Sequence, residues 1–165
     1  MSEYCVVVCN GTRARFFTLE PVAIPEVESG PNLVEHADLV NPEVDVPGRE
    51  TWTDLKSGRN TAPGAGPAHG YDDHRDDHED EFMRRFADKV AQQAVALVQE
   101  HKAGNLVLAA SSRMLGFLRN ALQLPPTPPV TVKEVAKDLS KLSPLEIHQH
   151  LSEDGLLPAR KRAAV

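Results

Sequence analysis

The chain is short of aromatic residues and of cysteine, and it has no long apolar run. Aromatics make up 5% of its 165 residues, with two cysteines and one tryptophan. A domain of this length can bury a real core without covalent staples, so stability must come from packing. Cys5 and Cys9 lie four apart in one apolar run. In an extended strand their Cα atoms would stand about 13 Å apart, too far for a disulfide between them. They read as buried free thiols in a reducing compartment. No stretch approaches the roughly 20 apolar residues that a membrane span needs, and the first residues lack the basic and apolar regions of a signal peptide. The expectation is a cytoplasmic protein.

An excess of positive charge is also missing. The net charge of −6 argues against a generic nucleic-acid coat. The acids are unevenly placed, however. Thirteen residues, His69–Glu81 (HGYDDHRDDHEDE), hold seven acids and three histidines, and the rest of the chain is close to neutral. A local basic patch therefore remains open.

Tyr4–Cys9 is a continuous apolar, β-branched run, as expected of a strand buried on both faces. Asn10-Gly11 is a tight-turn signal, and Arg13–Leu19 completes a hairpin over residues 4–20. Leu33–Val40, bounded by Pro31 and by Asn41-Pro42, is a third strand. A long amphipathic helix is expected from near Phe82, with Met83, Ala87, Val90, Ala94, Leu97 and Val98 on one stripe, ending at Gly104. Leu106–Ala110 is a short buried strand, and Ser111 or Ser112 can cap the next helix, which stops before Pro125-Pro126. Val130–Ala136 reads as a last strand. Ser143-Pro144-Leu145-Glu146 is a capping-box start for a helix to about Leu151.

The predicted order is β-β-β, long loop, α-β-α-β-α. Three antiparallel strands followed by parallel crossovers make a ribonuclease-H-like mixed sheet. One domain should cover residues 1–155, with a frayed basic tail at 156–165. The segment 42–81 reads as a long insertion, with nine Pro and Gly residues between Pro42 and Gly70. Loops of this length in small domains are functional or disordered more often than merely connecting.

Short matching pieces are spread over residues 4–151. They are Asn10-Gly11-Thr12-Arg13-Ala14-Arg15, Asp45-Val46-Pro47-Gly48-Arg49, Phe86-Ala87, Leu115-Gly116-Phe117-Leu118-Arg119 and Lys137-Asp138-Leu139. In their order and spacing the chain resembles the bacterial host attachment protein family, described as required for attachment to host cells. That family is similar to the middle domain of archaeal and eukaryotic peptide-chain release factors, a ribonuclease-H-like fold without nuclease chemistry. The resemblance implies a link to ribosomes or tRNA, with cytoplasmic action by binding. A release-factor domain carries a Gly-Gly-Gln tip on a long loop. Here Gly64-Ala65-Gly66 and Gly70 stand in that region, and no glutamine lies between Asn41 and Glu81. Peptidyl-tRNA hydrolysis is therefore not carried over.

Several residues are candidates for chemistry. A two-metal nuclease needs acids on the central strand, and Cys5–Asn10 has none. If Asp72–Glu81 is helical, His74 and His78 stand at i and i+4 and could share a divalent metal, with His69 reaching in. A metal-dependent hydrolase would follow. The competing reading is a solvated acidic cap on a helix start, or a pH-sensitive contact. No other cofactor is expected. Arg13 and Arg15 share one strand face and could bind phosphate or form the solvated side of an edge strand. Arg49 is a loop cation. Ser112 and Arg113 follow a parallel strand at a helix start, where an anion could sit, although plain capping serves as well. Arg119 and Lys137 complete the set of ligand- or RNA-binding candidates, Lys137-Asp138 being equally an ion pair or turn. Ser111 and Ser112 lack the G-x-S-x-G context of a nucleophile. A further reading is a module that binds another protein through 42–81.

Overall fold

The computed structural model describes residues 3–41 and 68–163, with side chains from His78 onward in the second stretch. Five strands and three helices follow in chain order. They are β1 (Tyr4–Cys9), β2 (Arg13–Glu20), β3 (Asn32–Val40), α1 (Ala68–His101), β4 (Asn105–Ala110), α2 (Ser112–Ala121), β5 (Thr131–Val135) and α3 (Pro144–Glu153). The strands form one mixed sheet in the order β3-β2-β1-β4-β5. β1 pairs antiparallel with β2, and β2 with β3, while β1, β4 and β5 run parallel. The element order and both pairing senses match the sequence expectation.

The sheet is covered on both sides, which is why β1 and β4 carry no alternation. Odd-numbered residues of β1 (Cys5, Val7, Cys9) join Phe16, Leu106 and Leu108 under α1 and α2. Even-numbered ones (Val6, Val8) join Phe17, Leu19 and Val107 under Ile147 and Leu151 of α3. A strand sandwiched this way needs apolar residues at every position. Within α1, Phe86, Ala87, Val90, Ala91, Ala94, Leu97 and Val98 are buried, close to the expected stripe. Both cysteines are free and buried. Burial, aided by Glu20 for Cys5 and by Asp138 for Cys9, pushes each thiol up to about 12. Neither supplies a thiolate at neutral pH.

Four expectations need correction. Helix α1 starts at Ala68, well before Phe82. Residues 72–81 contain no apolar side chain, and periodicity registers a helix only where it has an apolar face. The acidic run is therefore helical backbone, and the segment read as the loop 42–81 is helical from Ala68; residues 42–67 lie outside the described residues.

The link from β1 to β2 spans Asn10–Thr12. Its glycine has no positive φ, so it is not the two-residue hairpin turn that Asn-Gly suggests. The tail is docked where fraying was expected. Leu157 is buried, and Lys161 exchanges backbone hydrogen bonds with Gly30 at 2.8 and 3.1 Å. A Cβ on Gly30 would stand 2.5 Å from Val22 Cγ1, so any larger residue here would have to displace Val22. Gly116, by contrast, faces open space.

Helix α3 begins as its sequence predicts. Ser143 Oγ accepts from Glu146 N at 3.2 Å and Glu146 Oε1 accepts from Ser143 N at 3.1 Å. Its apolar side faces the sheet through Ile147 and Leu151, whereas Leu145 is 56% exposed. Truncating Ile147→Ala should cost about 2–5 kcal/mol in urea unfolding. Leu145→Ala should stay within about 0.5 kcal/mol of the parent.

Candidate functional site

Open sheets with parallel strands form their crevices at the strands' carboxyl ends. Here β1, β4 and β5 end at Cys9, Ala110 and Val135, and the segments that follow are Asn10–Thr12, Ser111–Arg113 and Ala136–Asp138. This edge holds most of the polar side chains that the sequence singled out.

Asn10 is its centre. Its Nδ2 donates to Asp138 Oδ2 at 3.2 Å and to Ser140 Oγ at 3.0 Å. Its Oδ1 accepts from Thr12 N, Thr12 Oγ1 and Arg13 N at 2.8, 2.8 and 2.9 Å. Asp138 Oδ1 accepts from Ser140 N at 3.1 Å and from Ser140 Oγ at 2.6 Å, closing an Asx turn. Burial raises the Asp138 carboxyl, but hydrogen bonds from Ser140 and Asn10 outweigh it and hold the group below its ordinary value. Ser140 is buried and its hydroxyl proton is committed to Asp138, so it is a tie and not a nucleophile.

Arg15 completes the knot from β2. It is 7% exposed and faces Glu35 with Nε and Nη2, each at 2.9 Å. Its Nη1 donates to the carbonyls of Ser140 and Leu142 at 3.0 and 2.6 Å. The guanidinium also lies over Phe17, 5.2 Å from the ring centre. Four of its five N–H groups are thus assigned to acceptors of this chain.

The other candidate cations have carboxylate partners as well. Arg13 makes a bidentate pair with Asp38 at 2.9 and 2.5 Å. Neither Arg13 nor Arg15 sits on an edge strand, because β2 lies between β1 and β3. Arg113 pairs with Asp80 of α1, which brings the acidic run to this edge. Ser111 caps α2 by accepting from Met114 N at 3.3 Å, and Ser112 is the first helical residue. Arg119 of α2 pairs with Glu134 of β5 at 2.6 Å, and Lys137 with Asp154, the C-cap of α3, at 2.8 Å. Arg49 lies outside the described residues.

Of the three histidines, His69 and His74 fall on helical backbone whose side chains are outside the described residues. His78 is exposed and packs on Phe82, with ring centres 6.2 Å apart. Among the described residues, no three His, Cys, Asp or Glu side chains come together to hold a metal.

Sequence reading missed the roles of Asn10 and Ser140. The spacing Asp138-x-Ser140 is the signal that could have found them, since an Asp side chain commonly accepts from the backbone two residues on. The partner at Asn10 is more than a hundred residues away and leaves no local trace.

A carboxyl lowered by folding stabilises the protein above its unfolded value near 3.9, and that stability is lost as pH falls through the folded value. Asp138→Asn should therefore be less stable than the parent at pH 7. The gap should narrow as urea unfolding is repeated at successively lower pH below about 4.

None of the curated proteins compared with the chain matches it. A family described as "Protein required for attachment to host cells" matches residues 5–151. That span runs from β1 to α3 and includes the Asn10, Arg15 and Asp138 knot. Among the described residues, no helix is long and apolar enough to cross a membrane. The chain belongs to the family of proteins required for attachment to host cells.

Proposed function

We propose that the protein is a non-enzymatic, cytoplasmic binding module of the host attachment family. Its contact surface is the acidic front of α1 together with the segment that leads into it, and its partner is a protein with a basic face. The observation that carries this reading is the fate of the charges. Arg13, Arg15, Arg113, Arg119 and Lys137 each face a carboxylate of this chain. Phosphate contacts dominate nucleic-acid affinity, and these cations are already neutralised. The acids of His69–Glu81 outnumber the single arginine among them. Glu79 is exposed, and Glu81, also exposed, is shared with Arg84 and Arg85 of the same helix.

A second reading is association with the ribosome or tRNA. It is favoured by the strand arrangement, three antiparallel strands followed by parallel ones, which is the order expected of a ribonuclease-H-like, release-factor-type sheet. A third is a metal-dependent hydrolase, favoured by His74 and His78 falling four apart on one helix. Metal analysis of protein purified without a histidine tag tests that idea, and substoichiometric metal rejects it.

Gradient sedimentation of lysate at low and high salt separates the first two readings. The leading one expects a complex free of ribosomal subunits, lost at high salt and lost when Asp72, Asp73, Asp76 and Asp77 are changed to Asn. Comigration with ribosomes that survives those substitutions would replace it with the second.

A further inference from the structure

At the end of the sheet opposite Asn10, strands β2 and β3 and the close of α1 bring a short polar chain together. Thr18 Oγ1 donates to Glu20 Oε2 at 2.7 Å, and His36 Nε2 lies 2.6 Å from the same hydroxyl. A hydroxyl has one proton, and a carboxylate only accepts. The Thr18 proton is therefore committed to Glu20, and toward His36 the oxygen can only accept. Nε2 of His36 carries the hydrogen, which leaves Nδ1 of the neutral ring with a lone pair. Thr18 is wholly buried, so this tie fixes the imidazole from its inner side.

The strand register accounts for the position of His36. Phe16 is opposite Ala37 and Phe17 opposite Glu35, so His36 is the extra residue of a β-bulge. Bulges re-aim side chains and recur beside functional groups. Here the ring meets His101, the last residue of α1. The two imidazole centres are 4.8 Å apart and the rings are tilted by 55°, not stacked. His36 is exposed and His101 half-buried, so both are reachable from solvent. Among the described residues, neither Nδ1 of His36 nor a ring nitrogen of His101 has a hydrogen-bond partner.

Neutral imidazole is the commonest protein ligand of metals. Two such rings on one ion each place their centre about 3.2 Å from it, given metal–nitrogen bonds of about 2.0–2.1 Å. Centres 4.8 Å apart then subtend an angle of about 97° at the ion, between about 90° for tetragonal and about 109° for tetrahedral coordination. Metal-binding histidines almost always donate their other N–H to a carboxylate, a carbonyl or water. His36 donates to Thr18, which passes the contact on to Glu20. The carbonyl end of α1, with its partial negative charge, also favours a cation beside His101.

We infer that His36 and His101 form an exchangeable site for a divalent transition-metal ion that prefers imidazole, such as Zn²⁺, which ties β3 to the end of α1. Two side chains are fewer than a structural zinc site has, so water fills the remaining positions. The site is separate from the His74 and His78 pair, which lies toward the other end of the same helix.

The test is an NMR titration of the full chain, purified without a histidine tag, with Zn²⁺. It follows the ring protons of His36 and His101, with Mg²⁺ as the control. Both rings should shift along one saturable curve with Zn²⁺ and stay still with Mg²⁺, which prefers oxygen ligands. His36→Gln should weaken the His101 response by about tenfold or more, because the second bond to a shared ion is intramolecular. His101→Gln should do the same to His36. The unfolding midpoint, expected near the parent's for both variants, separates lost ligation from lost folding. Changing His74 and His78 to Ala should leave the shared curve in place. The site is refuted if either ring fails to respond, if the two follow different curves, or if Mg²⁺ acts as Zn²⁺ does. It is equally refuted if a folded variant of one histidine leaves the other binding as in the parent, or if the curve is lost with His74 and His78.

Discussion

The guanidinium of Arg15 is the contact on which the architecture turns. It comes from β2, pairs with Glu35 on β3, and donates to two carbonyls of the segment that leads into α3. Strands β2 and β3 are joined to their neighbours by local antiparallel pairing, but the 136–142 segment returns from the far side of the sheet, after β5. Something must hold it back across β1. Arg15 does so from one side and Asn10, through Asp138 and Ser140, from the other. Once that segment is fixed, Leu139 is buried on the sheet and α3 can lay Ile147 and Leu151 over Val6, Val8 and Phe17. Electrostatic anchoring of the turn and apolar covering of the sheet face thus go together.

The same contacts limit what this edge can do. Parallel strand ends are where such sheets usually expose reactive or ligand-binding groups. Here the asparagine, the aspartate and the serine at that edge are bonded to one another, and the arginines to other carboxylates and carbonyls of the chain. Freeing Arg15 for a phosphate would cost its four present hydrogen bonds and leave Glu35 without its cation. An outside partner would therefore have to find its contacts away from this edge.

Legibility from sequence followed the range of the interactions. The strands were readable because β1 and β4 are apolar at every buried position, and the start of α3 because its capping box lies within four residues. The antiparallel and parallel pairings followed from the order of elements, strands in direct succession first and strands alternating with helices after. The front of α1 was not readable, since a helix without an apolar face leaves no period in the sequence. The docking of the tail rests on Leu157 and on a Gly30–Lys161 backbone bridge spanning more than a hundred residues. At the candidate site, Arg13, Arg15 and Arg113 stand out in the sequence, but what they face does not. Charge is visible in a sequence, whereas the carboxylate that cancels it is placed only by the fold. Asp38 reaches Arg13, and Asp80 reaches Arg113, through strand pairing and helix packing that no local pattern encodes.

The most direct measurement is the unfolding free energy of Arg15→Lys. Lysine keeps the positive charge and can still face Glu35, but its compact ammonium cannot serve the carboxylate and both carbonyls together. If Arg15 is an anchor, the variant should lose about 2–3 kcal/mol in urea unfolding, from carbonyls and a carboxylate left underbonded in a half-buried setting. Unchanged stability in Arg15→Lys would mean that only the charge matters there, and the anchoring account would fail.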